Sequence, residues 1–494
     1  MRRSNLRARR DRSLLRRKPT PVPRGMTGPA LVWFRNDLRL ADNPALRDAW
    51  AAGGPVLPVY ILDDADAWRP GGAARWWLHG SLASLQRDLA GLGLRQKLLR
   101  GDAAGCIERL VTESGAGSVH WNRRYEPWAI GQDKAIKAGL ERQGVTVRSH
   151  KGSLGREPWE VLRQGGAPYK MFTPFWRAWA ALGDLPAPLP APGAVGEPVE
   201  PDTAALAALG LLPTAPDWAH GLRAAWTPGE AAAHDALDAF VEERLAGYRR
   251  LRDFPAEPGV SLLSPRLHHG ELSPRQVWHR TRSVAGAEPF LRQLVWREFA
   301  HHLLFHFPQM PEEPLRPEFA RFPWSDEPGL FEAWARGRTG YPLVDAGMRE
   351  LWHTGYMHNR VRMVVASFLT KDLLLPWQLG AAWFWDTLCD ADLANNSMGW
   401  QWAAGCSTDA APYFRIFNPA SQAAKFDPKG TYIRRWVPEL AKLPDAATHE
   451  PAAVSGLDLQ AAGVRLDRTY PCPIVDHAFA RRRALEAYGL IKGG

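Results

Sequence analysis

Cysteine is scarce in this chain: four residues, Cys106, Cys389, Cys406 and Cys472, among 494. They lie far apart with no CxxC spacing, which argues against a disulfide framework or a cysteine zinc site and fits a reducing, cytoplasmic compartment. No metal site is expected. No apolar stretch is long enough to span a bilayer, so no membrane association is expected. GxGxxG and P-loop motifs are absent, which leaves the common dinucleotide and NTPase readings weak. Internal repeats are absent as well. Acid is missing locally: residues 1–25 hold ten Lys/Arg and one acid, Asp11, and so carry +9 of the total charge of +10. The rest of the chain is close to neutral, so global charge is no argument for nucleic-acid binding, and a basic groove has to be local. Residues 1–27 show no hydrophobic periodicity and are expected to be a disordered basic extension. An upstream translation start before a natural Met26 is favoured over a nucleic-acid arm or a transit peptide.

What is present is enough apolar material for a large folded body. Hydrophobic residues make up 45% of the chain, and 494 residues exceed what one core holds, so two domains are expected. From residue 30 to about 150, short apolar runs alternate with amphipathic stretches. The runs 30–34, 56–62, 96–100, 118–122 and 145–149 read as strands, and 81–92 and 132–143 as helices. That alternation predicts a parallel sheet with helices on both faces. A Pro/Ala/Gly-rich run over 181–217 lies inside an expected linker, 161–222. From 223 onward strand signals fade, and caps and breakers punctuate helical patterns, which predicts a mostly α-helical second domain to residue 494.

Four segments of that second domain carry unusual chemistry. Asp390–Pro419 (DADLANNSMGWQWAAGCSTDAAPYFRIFNP) combines two carboxylates, paired amides, two tryptophans and an Arg-aromatic stretch. It reads as the wall of a site for a large, flat, polar-edged ring system. Trp400 and Trp402 lie about 200° apart on a helix and so face opposite ways. In 248–278, Ser261 and Ser264 sit in a Gly/Pro-punctuated loop entering a helix, which suits either a phosphate or simple capping. In the helix 290–307, Gln293, Trp296 and Arg297 share one face. In 339–374, Asn359 pairs with Met363 and His358 with Arg362 at four-residue spacing; His358 alone reads as a structural histidine.

Together these segments resemble the DNA photolyase/cryptochrome family over roughly residues 30–480, most closely the class I cyclobutane pyrimidine dimer photolyases. The resemblance implies a Rossmann-like antenna domain (28–160) and a helical FAD- and DNA-binding domain (223–494). It assigns Tyr248, Ser261, Leu263, Ser264, Arg362, Asp390, Asp392 and Asn396 to FAD, reduced in the active state. Asn396 would face the reactive ring nitrogen. Val260 and Leu262 depart from the family's phosphate-binding pattern. Arg252, Gln293, Trp296, Arg297, Asn359, Trp402 and Gln422 are assigned to DNA or the flipped lesion, with Gln293, Asn359 and Met363 nearest the chemistry. With 23 tryptophans present, composition singles out no electron relay; the resemblance alone implies Trp400, Trp377 and Trp324. The implied function is light-driven repair of pyrimidine dimers in single- or double-stranded DNA by a monomer with no obligate protein partner. Gln293 stands where dimer photolyases carry Glu, as in (6-4) photolyases. Those enzymes, however, carry histidines at the places of Asn359 and Met363. A cryptochrome-type blue-light receptor is the other reading. A second, antenna chromophore is implied but not identified: Trp128 and Ala129 stand where folate-binding members have Asn and Glu.

Overall fold

The computed structural model describes residues 28–492; the expected basic extension lies outside them. Five strands, β1 (Ala30–Phe34), β2 (Val56–Asp63), β3 (Lys97–Gly101), β4 (Ser118–Asn122) and β5 (Thr146–His150), form one sheet. All pairs are parallel, in the order β3-β2-β1-β4-β5, with Ala30 aligned to both Val56 and Ser118. Every residue of β1 and β4 is buried, as expected of central parallel strands covered on both faces. Alternation along β1 builds the two layers. Val32 and Phe34 pack with Leu46, Leu82 and Leu85 on one face, under Pro44–Ala51 and α1 (Gly72–Gly91). Leu31 and Trp33 pack with Ile107, Leu110 and Leu140 on the other, under Ala103–Ser114 and α2 (Pro127–Arg142).

The remainder is helical, as the fading of strand signals predicts. Four helices concern the site: α3 (Glu288–His306), α4 (Asn359–Ser367), α5 (Trp377–Thr387) and α6 (Leu393–Ala404). α6 packs against the other three. It starts at Asp392, whose carboxylate accepts from the Asn395 N–H at 2.8 Å, and stops at Gly405 in the left-handed conformation. α5 and α6 meet where Gly380 gives way to Trp400: a Cβ on Gly380 would lie 2.0 Å from the indole. Within 161–222, the helix Phe172–Ala181 buries Phe172, Phe175 and Trp179. The Pro-rich stretch is tied to the sheet half by Val195 and Val199 N–H groups, donating to Leu92 and Ala90 carbonyls at 3.0 Å.

The two halves meet at the loop after β1. Buried Arg39 donates to the carbonyls of Asp42 (2.8 Å), Gly152 (2.7 Å) and Gly270 (2.9 Å). Asp42 pairs with Arg275 at 2.6 Å and accepts from the Ser273 hydroxyl. Glu271, fully buried, accepts from Trp77 (2.9 Å), Ser81 (2.6 Å) and the Gly229 N–H (2.6 Å). Gly270 has φ +70°, and a Cβ there would meet the Asn36 carbonyl oxygen at 2.1 Å. Gly286 has φ +81° but nothing within 4 Å of its would-be Cβ. Left-handed strain of order 1–3 kcal/mol is common to an alanine at either place; the backbone clash is particular to Gly270. Gly270→Ala is expected to lower the melting temperature well beyond Gly286→Ala in parallel thermal scans. Equal shifts would show that the close approach of the two halves is not what Gly270 secures.

Candidate cofactor and nucleic-acid site

A cavity of about 550 Å³ opens in the helical half. Its wall is the 248–264 segment, one face of α3, the 356–363 region and α5–α6. Sixteen of the sequence-expected residues line it: Tyr248, Arg252, Ser261, Leu263, Ser264, Gln293, Trp296, Arg297, Asn359, Arg362, Met363, Asp390, Asp392, Asn396, Trp400 and Trp402. Trp324, Trp377 and Gln422 stand outside the wall.

The centre of the wall is a charge pair. Asp390 is 8% exposed, and Arg362 Nη2 donates to both its oxygens at 2.9 and 3.1 Å. The Ser264 hydroxyl donates to Asp390 Oδ2 at 2.5 Å, so it completes the carboxylate's shell. Arg362 Nε donates to the Met357 carbonyl at 2.7 Å, and its guanidinium lies 5.3 Å from the Tyr356 ring centroid. Burial works against the Arg362 charge, but Asp390 more than compensates and raises its pKa. The carboxylate at Asp392 does a different job. It caps α6 and lies 3.4 Å from His301 Nε2 on α3 and 4.0 Å from His268 Nδ1. Burial opposes its charge, yet His301 and His268 hold it well below the ordinary range, while His301 is raised in return. The Asp390–Asp392 pair thus splits into one carboxylate bound to Arg362 and one fastening α6 to α3.

The phosphate-type loop is only partly free. Ser261 Oγ accepts from the Leu263 N–H at 3.4 Å, a capping contact. Leu262, a departure from the family pattern, adopts φ +58°, a conformation costly for a residue with a branched side chain. Arg252 lies over the Tyr248 ring at 5.2 Å.

Another part of the cavity wall is aromatic and amide-rich. Gln293, Trp296, Asn359, Met363 and Trp402 come together here from three helices. Trp296 stacks on Phe172 at 3.8 Å and 10°. One face of its ring is therefore covered by a residue that sequence reasoning placed in a linker. Arg297 donates to the Ser153 carbonyl at 2.9 Å and so also braces the sheet half. The Asn396 amide donates to the Ala381 carbonyl at 2.9 Å, which fixes its rotamer.

Trp400 is 2% exposed and Trp402 half-buried, and both reach the cavity wall although about 200° of helix separates them. Trp377 is buried at the start of α5. The Ser325 N–H donates to the Leu374 carbonyl at 2.8 Å, which brings half-buried Trp324 beside the turn leading into Trp377. Trp400 also has neighbours that the sequence did not announce: Phe384 at 5.0 Å and Trp334 at 6.0 Å between ring centroids. From Trp334, contacts run through Phe331 (5.8 Å) and Trp383 (6.2 Å) to Trp352 (5.9 Å), which is 62% exposed. Phe172, His268 and His301 were missed for the same reason: each acts through contacts with segments far away in the chain.

Comparison with known proteins agrees with this geometry. The sequence model of the DNA photolyase domain matches residues 30–193, and that of the FAD binding domain of DNA photolyase matches residues 290–490. The deoxyribodipyrimidine photo-lyase of Agrobacterium fabrum is 50% identical over 473 residues, covering 94% of this chain and 98% of the relative. Cryptochrome-2 of Arabidopsis thaliana is 40% identical, covering 92% and 78%. The crystal structure of a bacterial class III photolyase from Agrobacterium tumefaciens superposes with a TM-score of 0.91 at 50% identity, covering 95% of this chain and 98% of that one. An archaeal photolyase structure from Sulfolobus tokodaii, described as holding two FAD molecules, gives 0.78 at 28% identity, covering 93% and 99%. The cavity fits FAD chemically: a paired carboxylate and guanidinium for a ring edge, serine hydroxyls at the loop, and in the wall the buried Nδ1 of His268, which makes no hydrogen bond and lies 4.0 Å from Asp392. The chain belongs to the DNA photolyase/cryptochrome family, and its helical half is that family's FAD-binding domain.

Proposed function

We propose that the protein repairs cyclobutane pyrimidine dimers in DNA by light-driven electron transfer. The observation that carries this reading is the sharing of one cavity. The groups suited to an isoalloxazine edge (Arg362, Asp390, Asn396) and those suited to a flipped base pair (Trp296, Trp402, Gln293, Asn359, Met363) line the same 550 Å³ space. When bound, reduced FAD supplies the electron on blue-light excitation. The protein's part is to bind, orient and desolvate. Trp296 and Trp402 offer aromatic faces to an unstacked dimer, whose damaged step costs less to flip than an intact one. The amides of Gln293 and Asn359 are donors at the pyrimidine carbonyl edge, and Met363 fills the space between with a polarisable, uncharged chain. No imidazole stands at positions 359 and 363 to act as acid and base for a (6-4) lesion. Arg252 is assigned to a DNA phosphate contact, and Gln422, beyond the cavity wall, to a DNA contact.

Trp400 is the exit common to both aromatic routes, through Trp377 and Trp324 or through Trp334. Reactivation of oxidised FAD by light is therefore expected to use Trp400 first. A second chromophore in the sheet half is a further expectation. There Ala129 is fully buried in α2, so no carboxylate is available at the folate-binding position.

The function is tested with the purified, reduced protein on a thymine-dimer oligonucleotide, with a (6-4) oligonucleotide and a dark sample beside it. Loss of the cyclobutane dimer in light alone is the expected result; FAD-loaded protein that repairs neither lesion would transfer the reading to a blue-light receptor. Trp296→Ala should weaken binding to dimer-containing DNA by about 1–3 kcal/mol, the range for one base–aromatic stack, with undamaged DNA little affected in the same titration. Trp400→Phe should abolish photoreduction followed by flavin absorbance, whereas Trp377→Phe should leave whatever fraction runs through Trp334. Full photoreduction in Trp400→Phe would exclude both routes. Gln293→Glu should raise the dimer-repair quantum yield; a fall would show that the glutamine is matched to a different lesion.

A further inference from the structure

Far from the cavity, three side chains converge on the sheet face beneath the helix Pro44–Ala51. His120 on β4 lies opposite Arg148 on β5, and His150 lies opposite Asn122. Residues two apart on a strand share a face, so His120, Arg148 and His150 all point to the same side. The helix Pro44–Ala51 packs on that side and carries Asp48. The two imidazoles stack at 5.6 Å and 12°.

The distances are those of an assembled ligand set. Asp48 Oδ2 is 3.4 Å from His120 Nδ1 and 3.7 Å from His150 Nε2, and the three atoms all lie within 4.8 Å of one another. Two donors bound tetrahedrally to one ion at about 2.0–2.2 Å are about 3.4 Å apart. The same separations are long for an N–H···O bond. Both nitrogens are buried and have no hydrogen-bond partner, and His120 is 3% exposed. A buried polar atom without a partner needs an explanation. An outer contact is already in place: His120 Nε2 and Ser118 Oγ are 3.0 Å apart. An Nε2–H donated to Ser118 would leave the Nδ1 lone pair directed at Asp48, as second-shell partners do at metal sites. One group competes. Arg148 Nη1 lies 3.0 Å from the same Asp48 oxygen, but its side chain is 38% exposed and free to swing into solvent.

We propose that Asp48, His120 and His150 form a binding site for one divalent transition-metal ion of the zinc type, with a fourth position open to water. Two neutral imidazoles and one carboxylate suit such an ion and not a hard cation, which takes oxygen donors. A bound ion would clamp the edge strand β5 and its neighbour β4 to the overlying helix. Nothing in the linear spacing of 48, 120 and 150 announces it.

Isothermal titration of the untagged, FAD-containing protein with Zn2+ tests the site. Saturable binding at one ion per chain is expected. It should be lost in Asp48→Asn and in His150→Ala, weakened by about 10- to 100-fold in Ser118→Ala, and tightened in Arg148→Met, which removes the competing cation. The flavin absorbance spectrum of each variant reports that the fold is retained. No saturable binding by the wild-type protein, or an unchanged isotherm in folded Asp48→Asn and His150→Ala, would overturn the proposal.

Discussion

The pairing of Arg362 with Asp390 is the interaction on which the rest of the site depends. A buried carboxylate is costly unless it is paired and hydrogen-bonded. Here it has a guanidinium on two oxygens and a serine hydroxyl on one. The carboxylate and its two partners come from three places in the chain. Ser264 opens a short helix after the 258–263 loop, Arg362 is in α4, and Asp390 precedes α6. Satisfying one carboxylate therefore brings together three walls of the cavity. Two residues on, Asp392 repeats the device for another purpose, capping α6 and holding α3 through His301.

The sheet half does more than stand beside the helical half. Arg39 and Asp42, in the fragment after β1, are buried against the Gly270 carbonyl and the Ser273 and Arg275 side chains of the second half. Arg297 and Glu298 reach the other way, to the Ser153 carbonyl and to the Gly155 and Arg156 N–H groups. α3 is thus braced at its middle turns, next to Gln293 and Trp296. A face offered to a flipped base has to be rigid before the base arrives, because ordering it on binding would subtract from affinity.

Much of this was legible in the sequence, and the limits have physical causes. β1 and β4 have the expected bounds, since apolar runs between turn residues define them. β2 runs one residue longer at its end, and β3 and β5 are each shifted by one residue toward the C-terminus, where fraying makes assignment soft. The cavity-facing residues of α3 follow from helical spacing, and two steps of about 100° separate the buried Trp400 from the half-buried Trp402, although both reach the same cavity. What spacing does not contain is contact between distant segments. Phe172 sits in a stretch whose Pro-rich continuation masks a helix, yet it covers Trp296. Trp334 is one tryptophan among 23 until its ring is seen 6.0 Å from Trp400. Ser264, read as a phosphate contact, spends its hydroxyl on Asp390, a partner 126 residues away.

The measurement that bears most directly on this account is the flavin content and melting temperature of Asp390→Asn. The amide keeps the shape but strands the Arg362 charge, a loss of about 3–5 kcal/mol when one member of a buried pair is removed. The account predicts a folded protein that purifies with little FAD and regains it only weakly on titration. Stoichiometric FAD with unchanged photoreduction in Asp390→Asn would contradict the claim that this ion pair builds the cofactor site.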